Sequence, residues 1–152
     1  MRHLAVILLA FVLGAGSACD RSVNYTFVKN TNAGQLGWRP SKRGSEVPCV
    51  ALKPSAKEPV VACPTGSPAR IFAKWVEAGD ESVVIGFLAP GIAESVSSGV
   101  GVGEVTPPIR ALGGRRLFIQ IVDDGLQTER TIRIAENPEK LETDPAATVR
   151  RP

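Results

Sequence analysis

The sequence predicts an all-β fold of antiparallel strands, arranged as a sandwich or a barrel. Short stretches of β-branched and aromatic residues alternate with polar residues, and Gly, Pro, Asn and Asp cluster between them. Helical signals are weak, because the one candidate for a helical turn, residues 91–100, contains glycines that disfavour a longer helix. Roughly six to eight short strands are therefore expected, packed around one core.

The first half of the chain contains three candidate strands. Residues 22–28 alternate, with Val23, Tyr25 and Phe27 on one face, which is typical of a half-buried strand. Residues 29–37 are rich in Asn and Gly and are expected to form a turn. Two short β-branched segments follow at 47–52 and 59–63.

The second half contains two candidate hairpins. Residues 70–78 and 82–89 are expected to form strands joined by a Gly-Asp-Glu turn at 79–81. After a Gly/Ser/Pro-rich connection, residues 115–122 and 126–136 flank an Asp-Asp-Gly turn, which predicts a second hairpin. Alternation places Trp75 on the opposite face of its strand from Val76, and Phe118 on the opposite face of its strand from Leu117 and Ile119. Residues 137–152 have few apolar side chains and are expected to form a disordered tail after a domain spanning 19–136.

Part of this pattern resembles an immunoglobulin-like domain. Cys63 followed by Trp75 is similar to the cysteine of strand B and the tryptophan of strand C, and residues 113–122 resemble strand F. The later strand departs from the family because it has Ile119 or Ile121 where the second cysteine would stand. The resemblance favours an antiparallel β-sandwich, Ig-like or related, and implies nothing about function.

The N-terminus has the three parts of a secretory signal peptide. A short basic segment precedes an apolar run at residues 4–13, and small residues follow before a candidate cleavage site. The run is shorter than the ~20 residues that a membrane-spanning helix needs. Residues 1–18 are therefore expected to be removed on export.

The cleavage site resembles the lipobox of bacterial lipoproteins. Ser17, Ala18 and Cys19 match its last three positions, whereas Gly16 replaces the usual leucine. The resemblance implies that Cys19 carries a lipid with palmitate among its acyl groups. This lipid would attach the protein to a membrane of the cell envelope. Asp20 is similar to the inner-membrane retention signal of enterobacterial lipoproteins. The alternative is ordinary signal peptidase cleavage and a soluble secreted protein.

The cysteine count fits this interpretation. The chain has three cysteines, and if Cys19 carries a lipid, Cys49 and Cys63 remain to form a disulfide in an oxidising compartment. Closing a loop of this size is worth about 3 kcal/mol in the chain-entropy model. A redox or metal pair is disfavoured, because the two cysteines lack the spacing of a C-x-x-C motif.

The composition excludes several catalytic mechanisms. The only histidine is His3, so residues 19–152 cannot form a Ser-His-Asp or Cys-His site, and a zinc site is disfavoured. Turn formation accounts for the acidic residues at 77–81 and 123–124. We therefore expect no enzymatic activity, no cofactor and no metal site; the less favoured alternative is a small hydrolase that uses carboxylates.

The remaining expectation is a domain that binds another macromolecule. Residues 20–75 are mainly basic, and export disfavours nucleic acid as their partner. Another envelope protein is the expected partner, with the domain tethered to the membrane and facing the periplasm or the cell exterior in an accessory or inhibitory role. The Gly-rich segment 99–108 is one candidate contact. The other candidate binding residues are Trp38, Arg39, Lys42 and Arg43.

Overall fold

The computed structural model describes residues 24–41, 47–66, 70–91, 96–98, 101–122, 131–140 and 145–152. Within these ranges the fold is all-β, as the sequence predicts, and the only helical segments are short 3-10 turns at Arg110–Leu112 and Pro138–Lys140. None of the described residues belongs to a helix that is long and apolar enough to cross a membrane.

The strands form two antiparallel sheets, one of four strands in the order β1-β2-β3-β4 and one of seven in the order β11-β10-β7-β8-β9-β6-β5. The strands are β1 (Thr26–Thr31), β2 (Gly34–Arg39), β3 (Cys49–Lys53), β4 (Val60–Ala62), β5 (Ile71–Ala78), β6 (Glu81–Leu88), β7 (Val96–Ser98), β8 (Gly101–Val105), β9 (Arg116–Val122), β10 (Thr131–Ala135) and β11 (Ala147–Arg150).

The four-stranded sheet packs by one face on strands β9, β6 and β5 at one side of the larger sheet, as in a β-sandwich. Its inner face carries Leu36, Val50 and Leu52, which are fully buried. These side chains share a core with apolar residues on β5, β6 and β9. The two-residue periodicity of the strands assigns the residues between them to the opposite, outer face.

Strand β6 is buried on both faces, so it belongs to two cores. Val83, Ile85 and Phe87 face the four-stranded sheet, whereas Val84 and Leu88 face the other way. A nearly continuous apolar run is the sequence pattern that a strand covered on both sides requires.

The second core exists because the seven-stranded sheet curls. Its outer strand β11 contacts β5, the strand at the opposite edge of the same sheet. Strands β7, β10 and β11 consequently cover the second face of β5, β6 and β9. The buried residues of this core are Ile71, Trp75, Val84, Leu88, Val96, Phe118, Val122, Ile132, Ile134 and Val149.

The expected disulfide between Cys49 and Cys63 is confirmed. Their Cα atoms are 4.3 Å apart. Cys49 begins β3 and Cys63 follows β4, and Val50 is paired with Ala62 in the same ladder. The bond therefore joins two neighbouring strands of one sheet, and it does not cross between the sheets.

The predicted β5–β6 hairpin is also confirmed. Ala78 pairs with Glu81 around a two-residue turn, in which Gly79 has a φ of 73° that favours glycine. The predicted faces of β9 are correct as well, because Leu117 and Ile119 join the first core while Phe118 and Val122 join the second.

The predicted hairpin of residues 115–136 is wrong. Strand β9 pairs with β6 on one side and with β8 on the other, whereas β10 pairs with β7 and β11. The Asp-Asp-Gly turn at 123–125 lies outside the described residues. Alternation indicates which face of a strand is buried, but it does not specify the neighbouring strand.

Two predicted loops contain strands. Residues 29–37, expected to be a turn, belong mostly to a tight β1–β2 hairpin in which Thr31 pairs with Gly34. The Gly/Ser/Pro-rich connection contains β7 and β8, which pair with each other. In both cases pairing with neighbouring strands outweighs the low β propensity of Gly, Ser and Asn.

The expectation of a disordered tail does not hold for residues 145–152. Residues 147–150 form β11, which pairs with β10 through partners such as Ile132 and Val149. Val149 is buried in the second core, while Thr148 and Arg150 are exposed. Val149 and the half-buried Ala147, at alternating positions, pack this edge strand on the second core.

The Cys63 and Trp75 that carry the immunoglobulin resemblance lie in different environments. Cys63 is exposed and bonded to Cys49. Trp75 is buried on the face of β5 that points away from the four-stranded sheet. The described residues thus form a sandwich-like fold without a Cys–Trp contact between the sheets.

Because β6 lies between two cores, Gly86→Ala should destabilise the protein by about 3 kcal/mol. A Cβ at Gly86 would overlap the carbonyl oxygen of Phe72 and stand 2.7 Å from the Phe118 ring. Gly66→Ala is the matched control, because a Cβ there meets no atom within 4 Å. Urea unfolding followed by circular dichroism measures both variants, and equal stabilities would contradict the packing of β6.

Candidate macromolecule-binding surface

The neighbouring residues Trp38 and Arg39 point to opposite faces of β2. Trp38 pairs with Val50 and packs against the core between the sheets. Arg39 pairs with Cys49 on the outer face. The predicted contact residues Trp38 and Arg39 therefore belong to two different surfaces.

Arg39 is part of a half-buried cluster on the outer face of the four-stranded sheet, which we call the aromatic face: Tyr25, Phe27 and Arg39. The Tyr25 and Phe27 rings are stacked, with centroids 5.8 Å apart and an interplanar angle of 19°. The guanidinium carbon of Arg39 is 6.0 Å from the centre of the Tyr25 ring. Cation–π attraction and stacking thus hold the three side chains together.

Gly37 allows the Phe27 ring to lie against the sheet. A Cβ at this position would be 2.8 Å from Cδ1 of Phe27, closer than van der Waals contact allows. Phe27 and Gly37 are direct partners across β1 and β2. A larger residue at position 37 would push the ring outward, so the flat aromatic face depends on this glycine.

A β-bulge ends the aromatic face along β1. The register shifts between Phe27 and Lys29, which leaves Val28 as the extra residue, 43% exposed. Beyond the bulge Lys29 pairs with Leu36, and its Nζ lies 3.5 Å from Oε2 of Glu104 on the other sheet. Because of the extra residue, alternation in β1 is shifted by one position after Phe27. Lys29 therefore points towards β8 of the other sheet and not to the outer face.

Arg39 has an unusual hydrogen-bonding state. Its Nε atom is buried and has no hydrogen-bond partner among the described residues. Leaving a buried donor unpaired costs on the order of 1–3 kcal/mol. Such a group needs an explanation in the function or the fold of the protein.

Trp38 lines a surface pocket of about 240 Å³ at one end of the two sheets. Arg115 lies in the pocket wall, where its Nη1 donates to the carbonyl oxygen of Leu112 at 2.9 Å. The pocket thus combines an aromatic ring, two proline rings and a positioned guanidinium. Its lining residues are Trp38, Pro40, Ser41, Pro48, Ala111, Leu112, Gly113 and Arg115.

The other predicted contacts have mixed outcomes. Lys42 and Arg43 lie outside the described residues, as does Cys19. Within the segment 99–108, residues 101–105 are strand β8 and not a free loop. Val102 of this strand is 69% exposed.

Glu77 and Asp80, two acidic residues at the β5–β6 turn, are engaged in structural contacts. Glu77 accepts hydrogen bonds from Oγ of Ser82 at 2.8 and 2.7 Å, and its Oε1 lies 3.8 Å from Nε of Arg151. Asp80 lies 3.8 Å from Nζ of Lys57. In the part of the chain that the structure describes, no group of three or more His, Cys, Asp or Glu side chains could hold a metal ion.

Sequence reasoning did not assign Tyr25, Phe27 or Arg115 to a site. The alternation of residues 22–28 correctly places Tyr25 and Phe27 on one face but does not reveal that this face points outward. The sequence feature that could have identified this face is Gly37 in the strand next to an aromatic residue. A glycine allows a ring from the neighbouring strand to lie over the backbone. Arg115 is distant in sequence from Trp38, so only the fold brings them together.

Comparison of the chain with family models, with curated proteins and with solved structures finds no match. Any functional assignment therefore depends on the residues and surfaces described above.

Proposed function

We propose that this chain is a lipid-anchored protein of the bacterial cell envelope, whose β domain binds another envelope macromolecule without catalysis. In this proposal the thiol of Cys19 displaces the phosphorylated headgroup of a phospholipid and forms a thioether to its diacylglycerol. Hydrolysis of the Ala18–Cys19 bond then frees an amine, which takes palmitate from a second phospholipid and leaves a lysophospholipid. The disulfide between Cys49 and Cys63 supports the proposal, because it uses the two other cysteines of the chain.

The aromatic face is the observation that carries the binding function. Tyr and Arg are enriched among the residues that dominate binding energy at protein interfaces, and here they stand together with Phe27 on a solvent-facing sheet. The stacked rings need little further ordering when a partner binds, which lowers the entropic cost. Because the cluster carries a guanidinium, we expect a partner surface that combines apolar groups with a carboxylate.

Lipid attachment predicts a mass difference. Protein extracted from membranes should exceed the mass of residues 19–152 by the mass of its acyl groups, whereas a Cys19→Ser variant should lack this increment and be released from the membrane. Intact-mass spectrometry of both proteins tests the proposal. A mass equal to that of unmodified residues 19–152 would instead support the soluble secreted form.

Partner binding predicts site-specific crosslinking. A photoreactive phenylalanine analogue at Phe27 should give a discrete crosslinked product in intact cells, and the same analogue at exposed Lys74 of β5 should not. Adding Arg39→Ala should lower the yield roughly tenfold or more, because truncating a residue that dominates the binding energy of an interface costs about 2 kcal/mol or more. Equal crosslinking from both positions would refute the aromatic face as the contact.

A further inference from the structure

We call one end of the domain the Trp38 end. The strands that begin there are β1, β5 and β9, and the strands that end there are β2 and β6. Strand β1 begins there and β2 ends there, since Thr26 pairs with Trp38. In the larger sheet, Ile71 pairs with Leu88, and Leu88 pairs with Arg116. The Trp38 pocket joins the two sets, because it is lined by residues of β2 and of the turn before β9.

Cationic side chains predominate at the Trp38 end. Arg110 is exposed on the turn before β9, and Arg115 lines the Trp38 pocket. Arg70 and Lys140 line a neighbouring pocket together with Glu136, and Oε1 of Glu136 is 2.6 Å from Nη2 of Arg70. Within the described residues, the acidic groups near this pocket are Glu136 and Glu139, so the end has a cationic excess.

The opposite end has a different charge balance. The β5–β6 turn lies there beside the β1–β2 turn, in a pocket lined by Asn32, Lys57, Gly79 and Asp80 among others. Acidic and basic residues are paired there, because Lys57 lies near Asp80, and Arg151, which follows β11 at this end, lies near Glu77. Among the residues that the structure describes, the excess of positive charge therefore lies at the Trp38 end.

The position of Cys19 in the sequence indicates which end of the domain would lie near the membrane. Only residues 20–25 separate Cys19 from β1, and six residues span at most about 20 Å when fully extended. If Cys19 carries the lipid, as proposed above, the start of β1 cannot lie farther than this from the membrane surface. The Trp38 end is the end at which β1 starts, so it lies nearest the headgroups.

We infer that the Trp38 end docks on anionic phospholipid headgroups of the membrane to which the protein is anchored. Each lysine or arginine near an anionic membrane surface contributes attraction that salt weakens. Trp38 fits this location, since tryptophan side chains concentrate at the membrane–water interface. This inference depends on the proposed lipid anchor. Tyr25 and Arg39 of the aromatic face lie at the same end of the domain, on the outer side of the four-stranded sheet.

Fluorescence quenching by brominated lipids tests the inference. The acylated protein is reconstituted into vesicles of brominated phosphatidylcholine, either alone or mixed with phosphatidylglycerol. Trp38 should be quenched in the mixed vesicles and much less in phosphatidylcholine alone, and high salt should reverse the difference. Trp75 is buried in the second core and serves as an internal reference, so Trp38→Phe should abolish the quenching.

Charge variants leave both tryptophans in place. Arg110→Gln combined with Lys140→Gln should reduce the phosphatidylglycerol-dependent quenching by roughly half or more. The matched control combines Lys53→Gln with Lys74→Gln, two exposed cations away from the Trp38 end, and should leave the quenching unchanged.

The outcomes separate the two proposals. Protein that fails to float with phosphatidylcholine vesicles has no lipid anchor, which overturns the proposed function. Protein that floats but shows the same Trp38 quenching in both kinds of vesicle is anchored without docking, which overturns this inference alone. Equal losses in the Arg110/Lys140 and Lys53/Lys74 variants would also overturn it, because the attraction would then not belong to the Trp38 end.

Discussion

The burial of β6 on both faces is the constraint on which the rest of the structure depends. Its apolar residues need cover on two sides, and each side is supplied differently. The four-stranded sheet covers one face, while the curled strands β7, β10 and β11 cover the other. Gly86 belongs to the same constraint, because the space beside it is filled by Phe72 and Phe118. The curl of the sheet also brings the short, polar strand β11 against β5, where Val149 is buried.

The sequence predicts the strands and their faces better than their neighbours. The alternation in β5 and β9 assigns Trp75, Leu117 and Phe118 to the correct faces, and the number of cysteines anticipates the disulfide. The pairing of β9 with β8 could not be predicted, because β8 lies in the Gly/Ser/Pro-rich connection, which carries a weak β signal. Trp38 and Arg39 are predicted as contact residues from their residue types. Only the strand register of β2 shows that the two side chains point to opposite faces of the sheet.

The aromatic face and the Trp38 end are the two surfaces to which the proposed function assigns a role. The aromatic face is rigid because stacking, a cation–π contact and Gly37 fix its side chains before any partner binds. The Trp38 end is cationic because antiparallel strands return the basic segments before β5 and β9 to the place where β1 starts. An anchor at Cys19 would orient the Trp38 end towards lipid. The aromatic face begins at this end but lies on the outer side of the four-stranded sheet, so the two proposed surfaces are adjacent.

Native-state hydrogen exchange tests the central claim, that β6 is shared by two cores, most directly. The account predicts that the amides of β6 exchange most slowly, and only through global unfolding, while the edge strands β1 and β11 exchange through local opening. Loss of β6 protection should therefore coincide with the main urea transition. Exchange of β6 amides as fast as those of β1, or in a step that leaves β9 protected, would contradict the account.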